Sequence, residues 1–539
     1  MSEAKKPSRS LASIAGIVAI ATLISKLFGL VRQQAIAAAF GVGPAVDAYN
    51  YAYVIPGFLL ILLGGINGPF HSAMVSALSK RRQEEVEPLV ETMTTLVSGA
   101  LLLVTIFIFL FADHLIDLVA PGLSQTRVEG VDIRAIAIQQ LRIMSPMALF
   151  AGLIGIGFGT LNAANQFWLP SISPLFSSSA VLLGLGILVR VLGGDIIDPQ
   201  YAVLGGIVLA WTTLAGAIVQ WLAQVPLLWR LGLGKLRPRF EFNRPGVRDV
   251  LKVMGPATFS SGMMHINVYT DLFFASFIPQ AAAALSYANL LVQTPLGIIS
   301  NVILVPLLPV FSRLADPNDW DELKDRIRQG LILTAITMLP LSALLVTLAF
   351  PTVRVVYERF AFDQEASQLV ASLLVAYGIG MFVYLGRDVL VRVFYGLGDG
   401  DTPFRISIFN IFLNALLDYL LVNLFGAPGL VLATVGVNLI SMLLLLWLLD
   451  RKLYGLPWRS WNAPIAALTG ASIVAGLGCW ATRWGLEQVL GTEGLLVQLV
   501  QLGVAGSVGL GLFGAIALQL QLPEVELLRQ RLAQRIHRS

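Results

Sequence analysis

The segments IAGIVAIATLISKLFGLVRQQAIAAAF (residues 14–40) and VDAYNYAYVIPGFLLILLGGINGPFHSAMVSALSKRR (residues 46–82) decide the fold. Each is apolar over the roughly 20 residues that a helix needs to cross a bilayer, yet the first contains Lys26 and Arg32. A charge at membrane depth costs roughly 2.5–3.5 kcal/mol, so both cations are expected to face a wet cavity or a partner. The second segment contains Pro56 and several glycines, which free backbone groups that neighbouring helices or water must satisfy. Interrupted helices that carry charge are typical of transporter sites, although one charge per span also fits an ion pair inside a helix bundle.

The composition is that of a polytopic membrane protein. Of 539 residues, 56% are hydrophobic and 13% are charged, and the mean hydropathy is +0.77. The net charge of +4 is dispersed among loops, which argues against nucleic-acid binding. The single cysteine, Cys479, excludes an intramolecular disulfide and a cysteine-based metal site. No nucleotide-binding or hydrolase motif occurs in a plausible context, so the sequence predicts a transporter and not an enzyme.

Hydropathy predicts an all-α protein with about fourteen transmembrane helices. Lys and Arg fall mainly in alternate loops, which predicts that these loops and both termini are cytoplasmic. The predicted spans are 14–38, 46–78, 89–112, 134–162, 168–192, 200–229, 248–278, 283–312, 324–350, 366–397, 403–424, 428–450, 462–484 and 495–519.

The predicted spans fall into two similar lobes of six helices, followed by two further helices. The sequence AAAFGVGPAVDAYNYAYVIPGFLLIL from Ala37 is similar to FFASFIPQAAAALSYANLLVQTPLGII from Phe273. In both, a tight loop precedes a tyrosine-containing helix that is expected to break at Pro56 or Pro295. Duplicated lobes around a midplane site are a general transporter plan, although chance similarity between alanine-rich helices remains an alternative. The predicted division is 1–13 (cytoplasmic N-terminal tail), 14–230 (N-terminal lobe), 231–247 (basic cytoplasmic linker), 248–450 (C-terminal lobe), 462–519 (helices 13 and 14) and 520–539 (amphipathic cytoplasmic tail).

The first helix offers a cationic surface to an anionic ligand. Lys26, Gly29 and Gln33 share one helical face, and Arg32 lies on its flank. Two cations and a bare glycine suit a pyrophosphate, which needs positive charge and close backbone approach. Asp47 is also able to pair with either cation, which would make the charges structural.

A second group of polar residues lies in the later spans. Asn414 and Asp418 share a helical face by their i, i+4 spacing. Asp271 lies in span 248–278 and Thr434 in span 428–450. Oxygen ligands at this depth suit a hard monovalent cation such as sodium better than a transition metal. If the helices converge, these four residues form a candidate sodium site.

Further cations lie upstream of a glycine-rich turn. The segment GRDVLVRVFYGLGDGDTPFR, residues 386–405, places Arg387 and Arg392 in a helix before that turn. His71 and His265 lie at helix depth in the two lobes. A histidine there is more often a hydrogen-bonded core residue than a proton carrier.

Six motifs extend through both lobes: SKLFGLVR at 25–32, FGVGPAVDAY at 40–49, LNAANQFWLPSISP at 161–174, MGPA at 254–257, VVYERFAFD at 355–363 and FYGLGDGDTP at 394–403. In order and spacing they resemble the MurJ (MviN) lipid II flippases of the multidrug/oligosaccharidyl-lipid/polysaccharide exporter superfamily. The resemblance implies a multi-pass protein of the bacterial inner (plasma) membrane, with two lobes and a lipid-groove helix pair. The implied cargo is lipid II, the undecaprenyl-pyrophosphate-linked disaccharide pentapeptide of peptidoglycan biosynthesis. It would move from the cytoplasmic to the periplasmic leaflet by alternating access, biased by sodium or membrane potential.

The resemblance also implies roles for single residues. The first-helix cationic positions of the family fall on Lys26 and Arg32, and its acidic position on the second helix falls on Asp47. These three, with Arg387 and Arg392, form the predicted substrate-binding set. The sodium site known in a family member is similar to Asp271, Asn414, Asp418 and Thr434.

Several positions depart from the family pattern. Gln33 stands where a carboxylate often follows the first-helix arginine, and Leu60, Ile61 and Leu290 stand where arginines are expected. Those arginines line the family's cavity and are tied to anionic groups of the cargo. Either Arg387, Arg392 or His71 supplies part of the missing charge, or the chain moves another polyprenyl-linked glycan or a drug.

Two further readings belong to other classes of protein. A membrane glycan polymerase or ligase should have large periplasmic loops, but the longest predicted one, around 113–133, is small. A non-transporting scaffold for cell-wall synthesis enzymes would leave the oxygen-ligand group without a purpose. The expected partners are lipid II, membrane lipids and such enzymes, with no nucleic acid, and a two-lobed transporter is expected to be a monomer.

Overall fold

The structure is a computed structural model that describes residues 11–65, 68–125, 130–263 and 266–526. Over these residues the chain is helical and contains no β-sheet. The prediction of an all-α protein is therefore confirmed. The predicted tails at 1–13 and 520–539 lie largely outside the described residues, and His265 lies outside them altogether.

The helices agree with most of the predicted membrane spans. In the described part of the chain, eleven helices are long and apolar enough to cross a membrane. The number is twelve if Ile133–Met144 and Met147–Ala163, which meet at a 41° bend, form one span. All twelve coincide with predicted spans. The other two predicted spans are not among these candidates: 14–38 falls on the helix Leu11–Phe40, and 248–278 falls on two helices separated by residues 264 and 265, which lie outside the description. The number fourteen therefore stays a prediction.

The described residues form two compact units. The first extends to Ala283 and also includes Arg359–Phe362, and the second comprises Ala284–Glu358 and the chain from Asp363 onward. The predicted division into lobes, linker and appended helices stays a prediction. The α-helices up to Ala283 are α1 (Leu11–Phe40), α2 (Pro44–Gly64), α3 (Pro69–Leu78), α4 (Gln83–Leu110), α5 (Ala112–Val119), α6 (Ile133–Met144), α7 (Met147–Ala163), α8 (Trp168–Ile172), α9 (Pro174–Leu192), α10 (Ala202–Leu222), α11 (Val225–Arg230), α12 (Pro245–Met263), α13 (Ile266–Ala275) and the first turn of α14 (Ala281–Arg313).

Helix α7 packs closely against α2 and α3 because it carries glycines on that face. A Cβ atom at Gly155 would lie 1.9 Å from the carbonyl oxygen of Leu63, and one at Gly159 would lie 2.6 Å from Cβ of Met74. In a membrane, helices associate through van der Waals packing and hydrogen bonds, and small residues let their backbones approach. The glycines of α7 therefore set the packing distance in the core of the first unit.

The second unit is built around α17. This helix packs against α15 and α19, while α20 and α21 pack against each other and against α15. Ile332, Leu468 and Phe513 are among the buried side chains at that three-helix contact. After α14, its α-helices are α15 (Trp320–Thr347), α16 (Ala349–Tyr357), α17 (Gln364–Gly396), α18 (Asp401–Phe425), α19 (Ala427–Lys452), α20 (Trp458–Leu490) and α21 (Leu495–Gln519).

The expectation that the chain breaks at Pro56 and Pro295 is wrong. Helix α2 continues through Pro56 to Gly64, and α14 continues through Pro295 to Arg313. A proline removes one backbone hydrogen bond and strains the preceding turn, but a membrane helix tolerates this when neighbouring groups satisfy the freed carbonyl. The interruption after α2 falls instead at Gly65, whose backbone is extended.

A short segment distant in sequence closes the turn between α1 and α2. The backbone N–H of Ala361 donates to the carbonyl of Ala38 at 3.1 Å. Gly41 has a φ of +56°, and a Cβ there would lie 2.4 Å from the carbonyl oxygen of Ala361. A side chain at Gly41 would therefore be strained and would also clash with backbone. The contact joins the motifs FGVGPAVDAY and VVYERFAFD within the first unit.

Candidate functional site

The cationic face of α1 is open. Lys26 is exposed, and apart from the adjoining backbone of α1 itself, no heavy atom in the described part of the chain would lie within 4 Å of a Cβ at Gly29. An adjoining side of the helix packs on α8 and α9, where the Ser25 hydroxyl donates to the carbonyl of Ser171 at 3.1 Å. The predicted Lys26 and Gly29 surface therefore remains accessible to a ligand.

Arg32 lies next to an aromatic pair. The rings of Tyr49 and Tyr53 stack with their centroids 5.3 Å apart, and the Tyr49 hydroxyl is 3.0 Å from the Thr213 hydroxyl. The guanidinium of Arg32 is close enough to interact electrostatically with both phenol groups. Its Nε is buried and has no hydrogen-bond partner among the described residues. The pair was not predicted from the sequence, which shows the i, i+4 spacing of Tyr49 and Tyr53 but not their proximity to Arg32.

Asp47 contacts backbone and not a cation. Its side chain is 1% exposed, and its Oδ1 accepts a hydrogen bond from the N–H of Ala283 at 3.0 Å. Ala283 is the third residue of α14, whose first N–H groups have no partner within the helix. The carboxylate therefore caps this helix and complements its dipole. In the described part of the chain, neither Lys26 nor Arg32 has a carboxylate within ion-pair distance.

Within the second unit, a polar cleft of about 270 Å³ contains one predicted binding residue. Arg387 lies in its wall, donates from Nε to the Ser441 hydroxyl at 3.2 Å and contacts the Asp388 carboxylate at 3.3 Å. Arg392 is half-buried further along α17 and does not line the cleft. The lining residues are Gln293, Leu296, Gly297, Ser300, Tyr384, Leu385, Arg387, Asp388 and Asn438.

The predicted amide and carboxylate of α18 belong to a longer polar row. Asn410, Asn414 and Asp418 follow each other at four-residue intervals, and all three are buried. The Asn414 amide donates to Oδ2 of Asp418 at 2.8 Å, and the Asn410 amide donates to the Ser441 hydroxyl at 3.3 Å. Ser441 therefore connects the row to Arg387. Asn410 and Ser441 were not predicted from the sequence, although Asn410 continues the four-residue period of Asn414 and Asp418.

Two residues of the predicted sodium set are in direct contact. Asn414 and Asp418 are in contact, and their buried oxygen chemistry fits a hard cation. Thr434 is half-buried on α19 and donates to the Leu430 carbonyl of its own helix at 3.2 Å. Asp271 lies on α13 in the first unit, while the other three residues lie in the second. The four-residue sodium site stays a prediction.

His71 has a hydrogen-bonded partner. Its Nε2 is 2.7 Å from Nδ2 of Asn162, a residue of the LNAANQF motif on α7. This contact joins α3 to α7 inside the first unit and agrees with a core role for the histidine.

The fold is similar to those of solved multi-pass transporters. It is similar to a structure described as "Lipid II flippase MurJ, inward closed conformation", with a TM-score of 0.72 over 93% of this chain and 98% of that one, at 22% identity. It is also similar to an inward-facing multidrug resistance MATE family transporter of the MOP superfamily, with a TM-score of 0.58 over 81% and 98% of the two chains, at 16% identity. At such identities the similarity concerns the fold alone.

Sequence comparison narrows the class to one family. A family model described as "Lipid II flippase MurJ" matches residues 36–500. A Synechocystis protein named "Probable lipid II flippase MurJ" is 59% identical over 538 residues, which cover 100% of both chains. A Burkholderia cenocepacia "Lipid II flippase MurJ" is 31% identical over 490 residues, 88% of this chain and 89% of that one. The chain belongs to the lipid II flippase MurJ family. The predicted family, the transporter class and the multi-pass inner-membrane location are confirmed.

Proposed function

We propose that this chain flips lipid II from the cytoplasmic to the periplasmic leaflet by alternating access. The observation that carries the proposal is the 59% identity, over the whole length of both chains, to the Synechocystis relative named for that activity. Transport of this kind requires a site for the anionic headgroup and no covalent chemistry, while the lipid tail stays in the membrane.

The geometry supports a division of labour among the predicted binding residues. The exposed ammonium of Lys26 and the open backbone at Gly29 suit the pyrophosphate of the cargo. Arg32 presents a guanidinium beside the stacked rings of Tyr49 and Tyr53 and supplies a second cation for the anionic headgroup. Arg387 offers a second guanidinium in the polar cleft, and Arg392 contributes long-range charge. Asp47 holds the start of α14 in place.

Sodium or the membrane potential would bias the transport cycle. The residues proposed to hold sodium are Asp271, Asn414, Asp418 and Thr434, and the contact between Asn414 and Asp418 supports this assignment. A bound sodium ion would supply a positive charge that lets buried oxygens approach each other. One charge moved across 100 mV contributes about 2.3 kcal/mol.

We also propose the finer topology of the chain. The protein has fourteen membrane spans, arranged as two six-helix lobes and a C-terminal pair, and both termini are cytoplasmic. The basic loops, which alternate along the sequence, support this orientation. The protein would act as a monomer, in contact with membrane lipids and with cell-wall synthesis enzymes.

A second candidate is the export of another polyprenyl-linked glycan or of a drug. The observation that favours it is the apolar character of Leu60, Ile61 and Leu290 at positions where the family resemblance implies arginine. Ile61 is exposed in the structure, so its side chain would present a hydrocarbon surface where a cation was expected.

Rescue of a bacterium depleted of its own MurJ separates the two candidates. Lipid II on the outer leaflet is quantified with a cleavage probe. The wild-type chain should restore both exposure and growth, and the Lys26→Ala/Arg32→Ala double variant should insert normally but leave exposure near background. Arg326→Ala, which removes an exposed cation paired with Glu322, is the matched control and should behave as wild type. Background exposure with well-inserted wild-type protein would favour the second candidate, and full transport by the double variant would refute the binding role of both cations.

A further inference from the structure

The linker between α11 and α12 is folded onto the start of α4. Glu91 is 5% exposed, and its carboxylate accepts hydrogen bonds from the backbone N–H of Lys235 at 3.1 Å and from the Arg239 guanidinium at 3.2 Å. The Thr95 hydroxyl accepts from the backbone N–H of Arg239 at 2.9 Å. A buried carboxylate that is satisfied in this way fixes the conformation of the loop. Residues 231–244 therefore present a defined surface.

That surface carries unneutralised positive charge. Residues 230–248 contain six basic side chains and one acidic side chain. Glu91 binds Arg239, and Glu241 binds both Arg239 and Arg244. Within the described part of the chain, three exposed cations of this stretch have no carboxylate at ion-pair distance: Arg230, Arg237 and Arg248.

Exposed apolar side chains lie among these cations. Phe240 is 72% exposed and Phe242 is 42% exposed, and their rings meet edge to face with centroids 5.9 Å apart. Leu236, two residues after the buried Gly234, is 50% exposed. Apolar surface rimmed by charge marks an interaction site. We name five exposed residues of this stretch the linker patch: Leu236, Arg237, Phe240, Phe242 and, in the first turn of α12, Arg248.

We propose that the linker patch docks on anionic lipid headgroups of the membrane in which the protein is embedded. The loop begins where the candidate span Pro199–Arg230 ends, so it starts at the membrane interface. Clusters of four to eight basic residues directly after a span bind anionic lipid, and aromatic side chains favour the headgroup level. The arginines contact lipid phosphates while the phenylalanines enter the interface between headgroups and acyl chains.

This assignment extends beyond the transport of lipid II. It implies that the fraction of protein with a docked linker depends on the content of anionic lipid in the leaflet. Because Glu91 connects the loop to α4, docking also fixes the position of the first turns of that helix against the loop. A soluble protein could contact the same residues, but the loop begins at the membrane surface, which favours lipid as the occupant.

A single probe on the full-length protein tests the proposal. Cys479 is the one cysteine in the sequence, so Cys479→Ala gives a background in which Phe240→Cys can be labelled with an environment-sensitive fluorophore. The labelled protein is placed in nanodiscs of phosphatidylcholine with or without phosphatidylglycerol. We expect a blue shift and quenching by acyl-brominated lipid that grow with the phosphatidylglycerol fraction. Adding Arg237→Gln and Arg248→Gln should lower the ratio of docked to free loop about fivefold per arginine, since each basic residue at such a surface contributes ~1 kcal/mol.

Tyr454→Cys in the same background is the matched control. Tyr454 is 88% exposed and also follows two cations, but Arg451 stacks over Trp447 and Lys452 binds Asp399. Its label should not respond to phosphatidylglycerol. Three results would overturn the proposal. The Phe240→Cys label could stay water-exposed in both lipid compositions, it could shift to the blue equally in both, or it could be shielded from water only when another protein copurifies. The readout does not involve lipid II, so it is independent of the transport assay.

Discussion

Replacement of Asp47 tests whether the carboxylate stabilises the start of α14. Its Oδ1 accepts from the Ala283 N–H at 3.0 Å in a fully buried setting. Asp47→Asn keeps an oxygen acceptor but removes the negative charge. The attraction of that charge to the positive end of the helix is worth up to about 2 kcal/mol in partly buried geometries, and the cost of burying the charge offsets most of it here. Asp47→Ala also leaves a buried N–H without its acceptor, which costs a further ~1–3 kcal/mol. The expected loss of stability is therefore about 1 kcal/mol or less for Asp47→Asn and about 1–4 kcal/mol for Asp47→Ala.

The assay is the thermal or denaturant midpoint of the detergent-purified protein, read by loss of monodisperse, tag-fluorescent material. The stability order should be wild type, then Asp47→Asn, then Asp47→Ala. Asp195→Ala is the control, because Asp195 is an exposed acid in a short helical turn and should change the midpoint little. An Asp47→Ala variant as stable as the control would refute the capping role. Loss of lipid II exposure with unchanged stability would show that Asp47 acts in transport directly.

Two further predictions concern packing and pH. Gly155→Ala should destabilise the protein by about 3 kcal/mol in the same midpoint assay, because the new Cβ would overlap the Leu63 carbonyl. Gly99→Ala is the control: its Cβ would meet open space, so this variant should be neutral or slightly stabilising. Equal midpoints for the two variants would contradict the packing argument. Burial alone would raise the pKa of Asp399, but hydrogen bonds from Lys452, at 2.6 Å, and from Thr402 outweigh it and hold the pKa below its usual value of 3.8. A lowered pKa in the folded state means that the contribution of Asp399 is complete above pH 3.8 and disappears as the pH falls through the lower folded value. The stability difference between wild type and Asp399→Asn should therefore be about 1 kcal/mol from pH 5 to 7 and shrink below pH 4, and a difference that grows with acid would refute this sign.

The sequence by itself determined the secondary structure and the class of protein. Membrane-spanning helices follow from local hydropathy, so twelve predicted spans coincide with candidate spans of the structure. The contact between Asn414 and Asp418 was predictable for the same reason, because residues four apart on a helix are neighbours whatever surrounds them. The family motifs of both lobes are also recognisable without any knowledge of how the helices pack.

Only the tertiary structure decided the partners of the charged and polar groups. In the sequence, Lys26 and Arg32 are both candidate ion-pair partners of Asp47. In the structure, its carboxylate instead accepts a hydrogen bond from a backbone N–H that lies 236 residues further along the chain. Arg387 meets Ser441 across 54 residues, and His71 meets Asn162 across 91. The continuity of α2 through Pro56 depends likewise on neighbouring groups. Helical periodicity is a property of adjacent residues, whereas a buried polar group takes whichever partner the packing of distant helices places within hydrogen-bond reach.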